Sequence, residues 1–416
     1  MTSSGPGRWP SIGRRVLAFV LTAGVLFLSS WIFINAPTRT LLPLGVGAPE
    51  VSHWLMLGAL VAAALGVPDA RTHVASRWVF GAAVLALTMA ATPFIRFAAT
   101  SRRFDATMAA ALGDNALDKV SADVRSSMRL HPLAIGELFG HVDVGDALVQ
   151  RDIAVGAPAG VPLTVDVYRP RSRGSYPIVV QIYGGAWQRG RPGDNPHFAR
   201  WLAARGYVVF GVDYRHAPAF HWPAQIDDVR LCLAWIRDHA EEFDADTSRV
   251  AFIGRSAGAH LALIAAYSNG PLPARAVVSF YGPVDLTESY AHPPHPDPIR
   301  TRPVEEALIG GTPAEKPEAF REASPITYVR RTLPPTLLII GDRDHIVEPK
   351  YGARLRERLA ATGTTVALLD IPWADHAFDE VFNGPSSQLA LYHTERFLAW
   401  AMASTAAPIT PIARDR

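Results

Sequence analysis

Hydrophobic residues are distributed unevenly along this chain, and its first hundred residues contain three uncharged apolar runs: Val16 to Ile34, Val51 to Val67 and Trp78 to Ile95. The first run is long enough to cross the hydrocarbon core of a bilayer as a helix, and the other two lie near the lower length limit for a span. Arg14 and Arg15 precede the first run, as basic residues do in a secretory signal peptide. However, the run is longer than a signal-peptide core and no small-residue cleavage site follows it promptly. We therefore predict a retained membrane anchor with three helices.

The second and third runs have an alternative interpretation as two buried helices of a soluble domain, although nothing downstream is apolar enough to cover them. With three spans the rest of the chain lies opposite the N-terminus, and with two it lies on the same side. For three spans, arginines are slightly more frequent on the N-terminal side, which favours a cytoplasmic N-terminus and an extracytoplasmic remainder. The arginines on the N-terminal side are Arg8, Arg14, Arg15, Arg71 and Arg77, and those on the other side are Arg39, Arg96, Arg102 and Arg103.

From about Leu148 to Ala403 the pattern changes to short apolar runs that alternate with amphipathic helices. The helical period is clearest from Trp222 to Phe243, where apolar residues recur three and four positions apart. This alternation predicts an α/β fold with a mostly parallel sheet covered by helices on both faces, and ligands bind such sheets at the carboxyl ends of the strands. The predicted strands are Leu163 to Tyr168, Ile178 to Tyr183, Val208 to Asp213, Val250 to Ile253, Ala276 to Phe280, Thr336 to Ile340 and Val366 to Ile371.

These patterns divide the chain into a polar N-terminal tail (1–15), a transmembrane region (16–95), a connecting helical segment (96–147), an α/β domain (148–403) and a disordered tail (404–416).

Hydrophobic residues make up 49% of the chain and charged residues 19%, which excludes a disordered protein. The formal net charge of +2, without a basic stretch interleaved with aromatic residues, excludes nucleic acid as a partner. Cys232 is the only cysteine, so the sequence holds no intrachain disulfide and no cysteine-based metal site.

The strongest chemical motif follows the predicted strand Val250 to Ile253, where residues 254–258 read Gly-Arg-Ser-Ala-Gly ahead of a helical run. This G-x-S-x-G pattern puts a serine on a sharp, strained turn between a strand and a helix, where flanking side chains would clash. The alternative is an ordinary tight turn. We predict that Ser256 is a nucleophile.

A serine nucleophile requires a base and an acidic group that orients the base. In this type of fold they follow later strands, in the chain order serine, acid, histidine. Asp344 follows one later strand and His376 follows the next, so we predict Asp344 as the acid and His376 as the base. Asp342 competes for the role of the acid, and its alternative is a residue that caps its own turn. The alternative for His376 is a surface histidine. His345, directly after Asp344, is interpreted as loop packing or a contact at a helix start.

Acyl transfer also requires hydrogen-bond donors for the oxyanion of the tetrahedral intermediate. The backbone N–H of Ala257, directly after the nucleophile, is one predicted donor. Gly184 and Gly185 follow an earlier strand and can bring further N–H groups close to the substrate oxygen. A plain Gly-Gly turn is the alternative for this pair.

Taken together, these motifs resemble the hormone-sensitive-lipase-like branch of the α/β-hydrolases, most closely the membrane-anchored mycobacterial esterases and lipases and the plant prenylcysteine methylesterases. The resemblance covers roughly residues 148–403 and implies an α/β-hydrolase fold. It also implies a serine carboxylic-ester hydrolase with Ser256, Asp344 and His376 as its triad, and an oxyanion hole lined by Gly184, Gly185 and Ala257. The matching positions are Ile178 to Trp187, Val212 to Pro218, Trp222 to Ala224, Asp227 to Asp228, Gly254 to His260, Gly341 to Val347 and Asp375 to Phe378.

The chain departs from this family at Tyr183, where a histidine often precedes the two glycines. Backbone N–H groups make the contacts of an oxyanion hole, so the hole survives the change, while the loop orientation and the substrate preference are put in doubt.

Four further features are interpreted structurally. Arg255 either binds an acidic substrate group or forms a structural salt bridge, and we favour the salt bridge. His260, one helical turn after the nucleophile, is interpreted as a buried support and Cys232 as core packing. His292, His295 and Asp297 lie in a proline-rich loop whose flexible spacing argues against a metal site, so we predict neither a metal nor a cofactor.

The expected mechanism is acyl transfer to Ser256 followed by hydrolysis, with a small-molecule or lipid-like ester as the substrate and the bilayer as a partner. The segment from Val284 to Pro325 is the longest interruption between two strands and is expected to roof the active site. An acyltransferase or amidase on the same triad, or an inactive membrane-bound binding protein, are the alternatives. Acyl length and oligomeric state stay open at this point.

Overall fold

The computed structural model describes residues 9–70 and 73–403. The tail predicted at 404–416, most of the tail predicted at 1–15, and Arg8 and Arg71 of the orientation argument lie outside the described residues. The N-terminal part forms four helices: α1 (Trp9–Ser30), α2 (Leu42–Glu50), α3 (Ser52–Ala70) and α4 (Val74–Leu112). Within the described ranges, three helical stretches are long and apolar enough to cross a membrane, at Ile12–Ser30, Ser52–Ala70 and Val74–Leu112.

Small residues hold α1, α3 and α4 together, while large apolar side chains point outward. Ala59, Ala62 and Ala86 are fully buried between the helices, whereas Phe19 is 60% exposed and Trp78 is 76% exposed. This distribution is typical of helices that associate in lipid, because a lipid surface gives large apolar side chains no reason to turn inward. Arg14 and Arg15 both donate hydrogen bonds to Asp69, and these bonds join the N-terminal part of α1 to the end of α3.

The helix that carries the third apolar run does not end where that run ends, at Ile95. Instead α4 continues to Leu112, where Gly113 follows with a φ of 93°. The change from apolar to mixed residues at Arg96 alters the surroundings of the helix but leaves its backbone intact. The predicted connecting segment therefore begins inside a helix and ends with two short ones, α5 (Ala122–Ser127) and α6 (Ile135–Phe139).

Between Leu148 and Ala403, the end of the described chain, the strands form one eight-stranded sheet with the order β1-β2-β4-β3-β5-β6-β7-β8. The pairs β1–β2 and β2–β4 are antiparallel, and all the others are parallel, so the prediction of a mostly parallel sheet is confirmed. The strands are β1 (Leu148–Gly156), β2 (Leu163–Arg169), β3 (Tyr176–Ile182), β4 (Val208–Val212), β5 (Ala245–Arg255), β6 (Ala276–Phe280), β7 (Thr336–Gly341) and β8 (Val366–Ile371).

Helices cover both faces of the sheet and create two hydrophobic cores. Strand residues alternate between them, so that Val180 and Phe252 belong to one core while Val179 and Ile253 belong to the other. Phe97 and Phe104 from the second half of α4 enter the latter core, which makes the helix that carries the third apolar stretch part of the α/β domain. The helices of this domain are α7 (Pro196–Ala203), α8 (Ala224–His239), α9 (Ala257–Tyr267), α10 (Leu286–Ala291), α11 (Thr301–Ile309), α12 (Pro317–Glu322), α13 (Pro349–Ala361) and α14 (Pro385–Ala403).

Candidate active site

Ser256 occupies the one-residue turn between β5 and α9, with backbone angles of φ 52° and ψ −122°. This conformation is strained for a residue with a side chain. The glycines on both sides make the turn sterically feasible. A Cβ at Gly254 would lie 2.2 Å from the carbonyl oxygen of Gly258, and a Cβ at Gly258 would lie 2.2 Å from that of Ile182. The strand-turn-helix context that the motif predicted is therefore present.

A hydrogen-bonded chain joins Ser256, His376 and Asp344. The Oγ atom of Ser256 lies 2.9 Å from Nε2 of His376, and Nδ1 of His376 lies 2.8 Å from Oδ2 of Asp344. The other oxygen of Asp344 accepts the backbone N–H groups of Ile346 and Val347, both at 2.8 Å. The carboxylate is thereby fixed in the orientation that directs it at the imidazole ring.

Asp342, the competing acid, takes no part in this chain. It lies at the start of the same loop, where partial desolvation is the main cause that raises the pKa of its carboxyl, and the nearby charge of Asp370 adds to the effect. The charges that act on it from the opposite direction belong to Arg96 and Arg103 of α4. Both aspartates lie within three positions of the end of β7, so their distance from the strand alone did not exclude Asp342.

The loop that carries Gly184 and Gly185 lies directly against the nucleophile. A Cβ at Gly184 would come within 2.8 Å of the carbonyl oxygen of Arg255 and 3.3 Å of the Cβ of Ser256. Gly185 has a φ of 125°, and a Cβ there would collide with the carbonyl of Arg189 at 2.1 Å. Ala257 is the first residue of α9, so its backbone N–H has no acceptor within the helix. The structure thus brings all three predicted oxyanion residues close to Ser256.

The side chain of Tyr183 braces this loop from behind. Its hydroxyl donates a hydrogen bond to Asp213 at 2.7 Å and lies 3.0 Å from Nε2 of His216. Its ring stacks on that of Tyr214, with the centroids 4.4 Å apart. Burial, together with the charges of its neighbours, raises the pKa of Tyr183, so the phenol stays protonated and keeps donating. Tyr183 therefore anchors the loop at the position where the family often has histidine.

His260 supports the same loop from the other side, as the sequence suggested. Its Nδ1 atom lies 3.2 Å from the indole N–H of Trp187, and its Nε2 atom lies 2.5 Å from the carbonyl of Ala323. Burial lowers the pKa of His260 to about 4, so the neutral ring accepts from Trp187 and donates to Ala323. These contacts tie the oxyanion loop to the segment that roofs the site.

Arg255 points away from the pocket beside the nucleophile. Its Nε atom lies 2.5 Å from Asp379, which also accepts the hydroxyl of Tyr281, and its guanidinium stacks over Phe198 and Phe280. The arginine is 4% exposed. This arrangement is the structural salt bridge that the sequence favoured.

The loops that carry Asp344 and His376 also contact the chain between α1 and α2. His345 lies 3.1 Å from Oδ1 of Asp375 through Nδ1 and 3.1 Å from the carbonyl of Ala36 through Nε2. Arg343 donates to the side chain of Asn35 at 2.8 Å. The contacts with Ala36 and Asn35 each span more than three hundred positions, and nothing in the sequence indicated them.

A pocket of about 520 Å³, including its part that opens to solvent, starts at Ser256. The segment from Val284 to Pro325 forms one wall through α10 and α11, as expected for a roof, and the residues after Asp344 form the other. The lining is mostly apolar, with Val284, Ile299 and Val304 facing Ile346 and Val347. His292, His295 and Asp297 lie elsewhere in that segment, and the described residues contain no group of three side chains suited to a metal ion.

Comparisons with known proteins find esterases among the similar chains. The profile of the BD-FAE family matches residues 165–359. Esterase LipC of Mycobacterium tuberculosis is 36% identical over 228 residues, which cover 52% of this chain and 57% of that protein. Esterase LipQ of the same organism is 32% identical over 250 residues, or 55% of this chain and 57% of that protein. The matched region thus spans little more than half the length of these relatives.

Solved structures share the fold at lower identity. A bacterial heroin esterase superposes with a TM-score of 0.55 at 21% identity, over 69% of this chain and 99% of that one. Esterase LipW from Mycobacterium marinum gives a TM-score of 0.54 at 24% identity, over 68% and 96% of the two chains. Residues 165–359 therefore match the BD-FAE family within an α/β-hydrolase fold, and the chain is similar to esterases of mycobacteria.

Proposed function

We propose that this protein is a membrane-anchored serine carboxylic-ester hydrolase. The observation that carries the proposal is the chain of hydrogen bonds from Asp344 through His376 to Ser256, which lines a mostly apolar pocket. The relatives named as esterases support the same reaction class.

The reaction begins when Ser256 attacks the carbonyl carbon of the ester, while Nε2 of His376 accepts the hydroxyl proton. Asp344 holds Nδ1–H of the ring and stabilises the imidazolium that forms. Negative charge develops on the former carbonyl oxygen, and N–H groups of Ala257 and of the loop at Gly184 and Gly185 stabilise it. His376 then donates its proton to the leaving alcohol, and the acyl group remains on Ser256.

Water completes the cycle by the same steps. His376 accepts a proton from the water as its oxygen attacks the acyl carbon, and then returns a proton to Ser256 as the carboxylic acid leaves. The apolar walls of the pocket favour an acyl or alcohol part of hydrophobic character. An uncharged, lipid-like ester fits both these walls and an enzyme fixed at a bilayer.

We infer that the stretches Ile12–Ser30, Ser52–Ala70 and Val74–Leu112 provide the anchor, the last of them with its N-terminal, uncharged part. Outward-facing residues such as Phe19 and Trp78 are exposed in the isolated chain, and a bilayer would bury them. Three spans place the N-terminus and the α/β domain on opposite sides. With the excess of arginines on the N-terminal side, the domain is extracytoplasmic.

An ester-hydrolysis assay on the purified full-length chain tests the enzymatic proposal. A series of 4-nitrophenyl esters of increasing acyl length would show turnover, with an optimum that reports the depth of the pocket. Ser256→Ala and His376→Ala should each lower kcat on the order of a thousandfold or more. Near-full activity of either variant would rule out the assigned roles, and product analysis with an added alcohol would reveal an acyltransferase instead.

A further inference from the structure

Two acidic side chains, Asp285 and Glu305, interrupt the mostly apolar lining of the pocket beside Ser256, and Asp285 is paired with Arg354. Glu305, on α11, is among the pocket-lining residues and is only 3% exposed. A carboxyl group in such surroundings costs free energy unless it is paired or fully hydrogen-bonded. An apolar residue of similar size would fit these walls better, so its packing does not explain why a glutamate is present.

Only half of this carboxyl group is satisfied by the protein. Its Oε1 atom lies 2.5 Å from the hydroxyl of Ser289, on α10. Its Oε2 atom is buried and has no hydrogen-bond partner in the described part of the chain. The nearby basic residue Arg354 is paired with Asp285 and Glu288. A lining residue of the pocket thus carries a buried oxygen with free hydrogen-bonding capacity.

The protonation state of Glu305 narrows the chemistry of the group that would complete this site. Burial raises the pKa of its carboxyl to about 8, and the charges of Asp297 and Asp285 act in the same direction. Near neutral pH the group is therefore mostly a carboxylic acid, which can both donate and accept. A hydroxyl group also does both, so it complements either form of the carboxyl, whereas an ammonium group requires the ionised form.

We propose that Glu305 is a specificity-determining residue that binds a hydroxyl group on the ester part occupying this pocket. The enzyme then prefers esters whose chain carries a hydroxyl at the depth of Glu305 over alkyl esters of the same length. This inference rests on the proposed function, because it concerns the substrate of the same site. The enzyme discriminates against alkyl esters because the buried carboxyl of Glu305 is left unpaired when the substrate has no hydroxyl.

The test compares matched ester pairs on the purified full-length protein. One series consists of 4-nitrophenyl esters of ω-hydroxy acids, each paired with the unsubstituted acid of equal chain length. The second consists of butyrate monoesters of diols, each paired with the corresponding alkyl butyrate. In one series, at one chain length, kcat/KM should be tenfold or more higher for the hydroxylated ester. Glu305→Leu should reduce this ratio to near one, and Glu305→Gln should retain most of it, because the amide still donates and accepts.

Glu306→Gln is the matched control, since Glu306 is the neighbouring residue on α11 and its carboxylate accepts the hydroxyl of Tyr290 outside the pocket lining. Its ratio should equal that of the wild type. The inference is overturned if Glu305→Leu leaves the ratios of both series unchanged, or if esters with a terminal ammonium are preferred over the hydroxylated ones. Labelling of each variant by a fluorophosphonate reports whether its active site is folded.

Hydrolysis of 4-nitrophenyl acetate distinguishes a failure of the proposed function from a failure of the inference about Glu305. If the acetate is turned over equally by Ser256→Ala, the proposed function itself fails. If turnover of the acetate requires Ser256 while the hydroxyl preference is independent of Glu305, only the inference about Glu305 fails.

Discussion

At the scale of single residues, the two aspartates after β7 differ most clearly in their expected effect on catalysis. The side chain of Asp344 is buried and lies 2.8 Å from the ring of His376, whereas Asp342 is exposed and near the charges of Asp370, Arg103 and Arg96. Asp344→Asn should lower kcat by roughly 10³ to 10⁴, because an amide no longer holds the imidazole in the required tautomer. Asp342→Asn should leave kcat within about threefold. Steady-state kinetics on one good ester measures both, and a reversed order would assign the acid to Asp342.

Tyr183 is the second residue whose role is testable by itself. Tyr183→Phe keeps the ring that stacks on Tyr214 but removes the donor to Asp213, whose carboxylate is then left short of a hydrogen bond. We expect the free energy of unfolding to fall by about 1–3 kcal/mol. We also expect kcat to fall more than KM changes, because the variant displaces oxyanion donors and not the pocket. Chemical denaturation and kinetics measure the two effects, and a variant equal to the wild type in both would remove Tyr183 from the support of the loop.

The sequence predicted the side chains that a motif identifies. It did not predict those that only the fold brings together. Ser256 and His376 could be singled out because each follows a recognisable strand. The sequence favoured Asp344 as the acid but kept Asp342 as a competitor, since the direction of a carboxylate depends on its loop geometry. Glu305 gave no signal, because it occupies an ordinary position on an amphipathic helix and only the pocket makes it unusual.

At the scale of secondary-structure elements, two buried groups join the α1–α2 region to the α/β domain and respond to pH. Glu50 of α2 accepts hydrogen bonds from the backbone and hydroxyl of Ser386, and burial raises the pKa of its carboxyl to about 8. His345 faces acceptors at both ring nitrogens, so both hydrogen bonds form only when the ring carries a proton on each nitrogen. Burial alone lowers the pKa of His345, but the hydrogen bond and charge of Asp375 outweigh this effect and raise it above its usual value.

Both groups bind a proton more tightly in the folded state than in the unfolded one, so stability falls as pH rises. The stabilisation from Glu50 is lost as pH rises from its unfolded pKa of 4.5 to its folded pKa of about 8. The stabilisation from His345 is lost as pH rises above its unfolded pKa of 6.5. Each contributes a slope of at most about 1.4 kcal/mol per pH unit. Thermal midpoints in detergent at pH 5, 7 and 9 should decline, and less steeply in Glu50→Gln and His345→Gln. A midpoint that rises over this range, or equal slopes in all three proteins, would contradict the coupling.

The pair Arg255–Asp379 is a second element-level contact, because it links the end of β5 to the segment before α14. Both side chains are buried, so removing one leaves an unpaired charge in the core. Asp379→Ala should lower the free energy of unfolding by about 3–5 kcal/mol. The double variant Arg255→Met with Asp379→Leu should lose less than Asp379→Ala alone. Denaturant titration checks the order, and a double variant less stable than the single one would reverse this conclusion.

Elements that are buried on both faces could be predicted closely, because a continuous apolar run marks them. The bounds predicted for β6 and β8 agree with the structure. The edge strand β1 was missed, since its exposed face carries polar residues such as Gln150 and Arg151. The continuation of α4 beyond Ile95 was also missed, because composition changes there without any helix-breaking residue.

At the scale of the whole molecule, the N-terminal helices and the α/β domain are joined by the continuous helix α4. The side of the membrane that carries the domain can be read with a surface cysteine, because Cys232 is the only cysteine in the sequence and is buried. Ala360→Cys places a thiol on the exposed face of α13. An impermeant maleimide should label it in intact cells. Labelling only after lysis would place the domain in the cytoplasm and contradict three spans with an inside N-terminus.

The central claim is that Ser256 is an activated nucleophile, and a fluorophosphonate probe tests it most directly. The purified chain should acquire one probe adduct, which peptide mapping locates at Ser256. Ser256→Ala should abolish the adduct, and His376→Ala should slow its formation on the order of a thousandfold, because the hydroxyl loses its base. A folded protein that forms no adduct, or an adduct that persists in Ser256→Ala, would contradict the account.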